Sequence, residues 1–369
     1  MAPDSTVPMC ELGTEYGTDK GNDGDLSNIQ SNTLRYGKYK FMFWEFETPL
    51  IWRNIIAIFT LHILAVYALT TYSWNLGTVV FTTRRGMVRV PQSGDTLYIV
   101  NNLVSLTAFI IGGITAFGIT GGVHRYFTHR AYKAKLPLRV ILLICYSVAG
   151  QNSILDWVRD HRVHHKFTET NADPHNAKRG FFFAHVGWLM MKKHPDVIRM
   201  GKALDCSDLF EDPLVVFHQK YFTWIKLLFC FILPTMIPPL LWGESLLVTI
   251  KGVILVRYTI SLNCTWLVNS AAHLWGTKPY DKKINPVENL TVSILSGGEG
   301  YHNYHHTFPW DYRASEMGSM LNITTLWLNF FEKNRLGLRP EVPLTGTGEK
   351  SGDDARGWNA LQVGTRSPL

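Results

Sequence analysis

DHRVHH, at Asp160–His165, and YHNYHH, at Tyr301–His306, share one pattern, HxxHH. Histidines at i, i+3 and i+4 fall on one face of a helix, so the imidazoles of His161, His164 and His165 converge, as do those of His302, His305 and His306. A looser pair, His124 and His129, stands in GVHRYFTHR. Five residues is not a same-face spacing on a regular helix, so this pair belongs where a helix ends or unwinds. Neutral imidazole is the commonest metal ligand and suits iron, copper and zinc. A tetrahedral ion takes about four protein ligands, so eight clustered histidines are too many for one ion and about right for two. A lone HxxHH on a surface is more often solvated than ligating. Two copies and a third pair in one chain outweigh that reading, and the pattern predicts a dinuclear metal site.

The setting is apolar but uneven. The 369 residues are 46% hydrophobic and 13% aromatic, and long apolar runs alternate with charged ones, as in a membrane protein. Four runs are long enough to span: Asn54 to Tyr72, Leu97 to Thr120, Trp224 to Trp242, and Ser245 to Val268. Pro234, Pro238 and Pro239 end or kink the third. The fourth carries Lys251, placed to snorkel, and Arg257, which is harder to explain so deep in a span. The piece at Leu138–Ala149 is too short and broken to span and reads as a buried or interfacial helix. Two spans before the first two histidine clusters and two before the third is an even count, so all three face the same side of the membrane. Of the net charge of +7, nearly all lies between Gly121 and Lys220, where fifteen Lys and Arg meet nine Asp and Glu. A basic rim beside the histidines suggests an anionic substrate or an acidic partner.

Residues 1–40 are polar, lack the apolar core of a signal peptide and read as disordered. Aromatics crowd Phe41–Trp52, consistent with an interfacial segment. The histidine-bearing membrane domain is expected to occupy 41–330, followed by a mostly disordered tail over 331–369. The five cysteines show no CxxC pairing and no disulfide framework, which fits a cytosol-facing site. No GxGxxG or GxxxxGK is present to bind a nicotinamide, flavin or nucleotide phosphate, and no GxSxG elbow competes. A metal centre that activates dioxygen would therefore draw electrons from a partner protein.

The blocks HRYFTH, DWVRDHRVHHKFTETNADPHNAKRGFFFAHVGW, NCTWLVNSAAHLWG and GGEGYHNYHHTFPWDYRASE resemble the membrane acyl-CoA desaturases of the stearoyl-CoA type, animal and insect-like. The resemblance covers roughly residues 48–330. It implies an all-α integral membrane fold, four transmembrane helices under a cytosolic helical cap that carries a histidine-ligated di-iron site. It implies insertion of a cis double bond into a saturated long-chain acyl-CoA, at Δ9 or another position such as Δ11, using O2 and electrons from cytochrome b5 and its NADH-dependent reductase. The endoplasmic reticulum membrane, with both termini and the active site cytosolic, is the implied location.

The same resemblance implies a ninth ligand, His273, and places Asn269 beside the metal through a water. It assigns the acyl-CoA head group to Asn54, Asn152, Arg159, Asp160, Lys192, Lys193 and Trp266, and the bend of the acyl tunnel to Gln151, Trp157 and Thr265. His62, His175, His185, His194 and His218 match no ligand. The chain also departs from the family: HRYFTHR replaces HRLWSHR, the loop over 74–96 is about twenty residues longer, and Gly112 and Gly113 stand where bulkier aromatics are common. Those glycines would lengthen the closed end of the tunnel or leave room for another segment to fill it. Two rival readings are a membrane di-iron hydroxylase or oxidase and a non-enzymatic protein whose histidines bind a structural metal.

Overall fold

The computed structural model describes the backbone of residues 39–41, 44–46, 48–71 and 93–338, with side chains over 48–71 and 103–336. The expectations for residues 1–38, for most of the 74–96 loop and for 341–369 lie outside the described residues. The chain is helical: α1 (Trp52–Thr71), α2 (Ser93–Phe117), α3 (Leu136–Ala149), α4 (Ile154–Phe167), the short helices α5 (Phe181–His185), α6 (Pro195–Ala203), α7 (Ser207–Phe210) and α8 (Pro213–Lys220), then α9 (Phe222–Trp242), α10 (Leu246–Leu274), α11 (Leu290–Ser296), α12 (His302–Thr307) and α13 (Ile323–Lys333). Strands are minor. Tyr39–Phe41 pairs antiparallel with Trp44–Phe46, so part of the aromatic stretch before α1 is a small hairpin.

Among the described residues, four helices are long and apolar enough to cross a membrane: Trp52–Thr71, Leu103–Thr128, Phe222–Trp242 and Leu246–Leu274. They match the four runs read from the sequence to within a few residues, except that the second and fourth continue further at their C-terminal ends. The outer faces of these helices expose large apolar side chains, among them Ile56, Phe59, Phe109, Trp224 and Leu240, the surface that hydrocarbon would cover. Lys251 reaches the end of α1, donating to Thr71 Oγ1 at 2.9 Å over the ring of Tyr67, as a snorkelling lysine does.

The pair α3–α4 is bent by 86° and together is apolar enough to count as a fifth span. It does not cross. His124, before the pair, and His161, near its end, have ring centroids 4.7 Å apart, so the chain enters and leaves the elbow on one side. Local chemistry makes the bend. Pro137 opens α3, Gly150 closes it in the left-handed conformation (φ 63°), and Ser153 starts α4 by accepting from the Asp156 amide. A Cβ at Gly150 would collide with Cys230.

The folded part continues past the expected boundary at 330. α13 runs to Lys333, and Gly337–Leu338 pairs antiparallel with Lys133–Ala134, because Phe331 and Leu336 pack on the cluster of Ala131, Tyr132 and Leu138. Residues 331–338 are thus corrected from tail to domain.

Candidate metal centre

His124 and His129 are brought together by a change of helical pitch. Beyond Phe117 the second span continues over Gly118–Thr128 with i→i+5 bonding; the His129 amide donates to the His124 carbonyl at 3.2 Å. In this wider turn residues five apart nearly eclipse, which a regular helix forbids. The rings end 4.9 Å apart. The wide turn has room because Gly118 packs directly on the backbone of Cys145 and Tyr146 in α3.

The nine histidines named above gather into two buried groups, each with its ligand atoms within 4.8 Å of one another: His124, His129, His161, His165 and His305 in one, and His164, His273, His302 and His306 in the other. α4 serves both, since His161 and His165 face one group while His164 faces the other. α12 divides likewise, with His305 in the first group and His302 and His306 in the second. The rings of His165 and His306 stack 4.0 Å apart across the boundary.

The nitrogens that converge are Nε2. His124 to His305 is 2.9 Å, His305 to His165 and His165 to His161 are 3.1 Å, His302 to His273 is 3.0 Å, and His306 to His302 is 3.1 Å. Cis ligands of one ion at a metal–nitrogen distance of about 2.1 Å would lie roughly 3.0 Å apart, so the spacing fits a metal. Burial, reinforced by neighbouring imidazoles, pushes His161, His165, His302, His305 and His306 well below the ordinary histidine range, which keeps their lone pairs available.

Three carboxylates hold the opposite nitrogens. His124 Nδ1 lies 2.8 Å from Glu299, His164 Nδ1 2.9 Å from Asp173, and His273 Nδ1 2.7 Å from Glu169. Each accepts a hydrogen bond from Nδ1–H, so Nε2 presents its lone pair inward. Burial would raise Glu299, but Arg125 and then His124 hold it down to about 2. Arg125, itself fully buried, donates to Glu299 Oε1 at 2.6 Å and to the Tyr312 carbonyl at 2.8 Å. Asp173 stays well below the usual carboxylate range despite its burial, because of His164. Glu169, Asp173 and Glu299 were missed by histidine spacing. Their signal was an acidic residue inside each histidine block, in TETNADPHN and GGEGYHN.

The remaining expected site residues lie around these groups. Asn269 sits on α10 one turn before His273. Trp157 stacks on His161 at 4.8 Å and donates to Gln151 Oε1 at 3.0 Å, and Gln151 donates to Thr265 Oγ1 at 3.1 Å. The three expected tunnel-bend residues thus form one hydrogen-bonded chain leading from α10 to the first group. Of the head-group residues, Lys193 holds both oxygens of Asp160 at 2.6 Å, Arg159 pairs with Asp156 at 2.8 Å, Asn152 and Lys192 are exposed, and Asn54 donates to the Leu189 carbonyl at 2.8 Å. Trp266 is buried between the rings of His62 and His185.

One expectation changes. A Cβ at Gly112 or Gly113 would meet nothing within 4 Å, but only Gly112 is partly buried. Gly113 falls on the outward stripe with Phe109, Ile110 and Ile114, which corrects its reading as tunnel wall. His175, matched to no ligand, packs on His164 at 4.3 Å, with Asp173 shared between them. The other unmatched histidines serve packing: His62 and His185 bond Asn263, His194 starts α6, and His218 lies against Tyr146.

A cleft of about 360 Å³ opens beside the centre, lined by His165 and His306 with Lys166, Lys178 and Lys283.

The model of the fatty acid desaturase family matches residues 101–315. An acyl-CoA Delta-9 desaturase of Acheta domesticus is 47% identical over 291 residues, 78% of this chain and 74% of its own. Stearoyl-CoA desaturase 5 of Bos taurus is 48% identical over 281 residues, 76% of each chain. An acyl-CoA Delta(11) desaturase of Trichoplusia ni is 53% identical over 226 residues, 61% of this chain and 64% of its own.

Proposed function

Since the chain belongs to the fatty acid desaturase family, we propose that it is a multi-pass membrane acyl-CoA desaturase that inserts a cis double bond into a long-chain saturated acyl-CoA at Δ9. The two hydrogens removed, with two electrons and two protons supplied from outside, reduce O2 to two waters. The observation that carries this reading is the pair of buried groups of five and four histidines. These would each hold one iron, with Asn269 beside the metal through a water. The irons supply the oxidising power that an unactivated C–H bond requires.

The chain's own residues account for the rest. Glu299, Asp173 and Glu169 hold the Nδ1 protons of three ligands and fix their tautomers. Exposed Lys192, the Asp160–Lys193 pair, Arg159, Asn152, Asn54 and Trp266 would receive the charged head group, and Lys192 offers a point charge for phosphate. Trp157, packed on His161 and tied through Gln151 to Thr265, would bend the acyl chain beside the ligands and keep water from it. The cleft lined by Lys166, Lys178 and Lys283 beside His165 and His306 favours an acidic electron donor, read here as cytochrome b5 with its reductase. With such a donor the site would face the cytosol at the endoplasmic reticulum membrane.

The test is purified full-length protein in vesicles with cytochrome b5, its reductase, NADH and stearoyl-CoA. A mono-unsaturated acyl product and two irons per chain are expected. An alcohol product would favour a hydroxylase, and a tightly held metal without turnover would favour a structural role.

A further inference from the structure

The elbow between α3 and α4 puts irregular backbone inside the helix bundle, where unpaired carbonyls are costly. Its carbonyls are taken by side chains. Tyr146 donates to Asn152 O at 2.6 Å, Lys226 to Gln151 O at 3.3 Å, Tyr258 to Gly150 O at 2.9 Å, and Arg257 to Val148 O at 3.4 Å. Arg257 also donates to Cys230 O at 3.3 Å and to Val253 O at 2.9 Å. Pro234, four residues on, has no amide hydrogen to offer Cys230 O. One buried guanidinium thus joins α3, α9 and α10 at the bend.

Arg257 and Tyr258 are on the same helix as Thr265 and His273. α10 therefore carries three fixtures in order: the elbow tether at 257–258, the bend contact at Thr265, and a candidate iron ligand at His273. The tether and the ligand are fifteen residues apart, about 22 Å along a helix. Gln151 follows the tethered Gly150 carbonyl directly, whereas Trp157 is fixed on α4 one turn before His161, so sliding the elbow along α10 would shift the Gln151–Thr265 contact relative to Trp157 and the metal groups.

Resting on the desaturase reading above, we propose that Arg257 and Tyr258 are positioning residues that set which carbons of the acyl chain lie beside the metals, and so the position of the double bond. Misplacing reacting atoms by about 1 Å can cost roughly 10²-fold, so a small slip converts one product into several.

Tyr258→Phe removes only the hydroxyl donated to Gly150. Arg257→Lys keeps the charge but loses the planar fork that reaches Val148 and Cys230 together. Both full-length variants are expressed in membranes beside wild type, the double bonds of the products are located by mass spectrometry, and metal content and KM are measured. Each variant should keep its metal and KM, lose roughly tenfold or more in rate at the native position, and yield additional positional isomers. A purely structural role would lower abundance without changing the isomer ratio. Native double-bond placement in both variants, loss of metal, or complete loss of product would each overturn the inference. Absence of any alkene from the wild type would instead sink the desaturase reading.

Discussion

Replacing Glu299 with Gln tests how the centre is held, because that carboxylate serves two partners at once. One oxygen lies 2.8 Å from His124 Nδ1 and the other 2.6 Å from Arg125 Nη2, with all three side chains buried. Loss of a carboxylate behind a ligating imidazole typically weakens metal binding about 10–100-fold, or roughly 1.4–2.8 kcal/mol. Breaking a buried ion pair while leaving the other charge in place costs about 3–5 kcal/mol, a large share of the ~5–15 kcal/mol that holds a typical domain. Arg125 keeps its bonds to Tyr312 O, Thr325 and Asn322, so the lower end of that range applies. Glu299→Gln should therefore lower the melting temperature in detergent and reduce bound metal from two ions per chain toward one, because His124 belongs only to the five-histidine group. The double variant Arg125→Met/Glu299→Gln should regain part of the thermal stability and none of the metal. Elemental analysis and thermal melts read both. A single variant with two tightly held ions would refute the claim that the carboxylate orients His124.

Other expectations follow from the same contacts. Gly112→Tyr should shift product toward shorter acyl chains, whereas Gly113→Leu, on the outward stripe, should leave the chain-length profile unchanged; gas chromatography of membrane lipids separates the two. Gly118→Ala would drive a methyl into the backbone of Cys145 and Tyr146, and should destabilise the protein by about 1–3 kcal/mol or more, seen as lost abundance and a lower melting temperature. The sequence holds three N-x-T sequons, at Asn263, Asn289 and Asn322; Asn263 is bonded to His62 and His185, and Asn322 is fully buried. Asn289 is on the side of the histidines, so none should gain a glycan in microsomes, and glycosylation of Asn289 would turn the protein over.

The histidine groups were legible because α4 and α12 are regular helices, on which i, i+3 and i+4 converge whatever the tertiary fold. The four spans were legible from length and hydropathy alone. His124 and His129 were legible as a pair but not as neighbours, since sequence does not announce a wide turn. His273 required family resemblance, because a single histidine at a helix end has no spacing to read. Glu299 and Asp173 escaped because their role depends on which imidazole nitrogen faces outward, which is a property of three-dimensional packing. Arg257 stood out as an unexplained charge in a span. Its partners are the carbonyls of Val148 at the elbow, Cys230 before Pro234 and Val253 on its own helix, and carbonyls leave no trace in a sequence.

The most direct test of the central claim is expression of the chain in yeast lacking its own desaturase, followed by location of the double bonds in its lipids. Restored growth with cis mono-unsaturated chains, mainly Δ9, is the expected result, and it should vanish with His164→Ala at undiminished protein level. Hydroxylated lipids, or growth restored equally by His164→Ala, would contradict it.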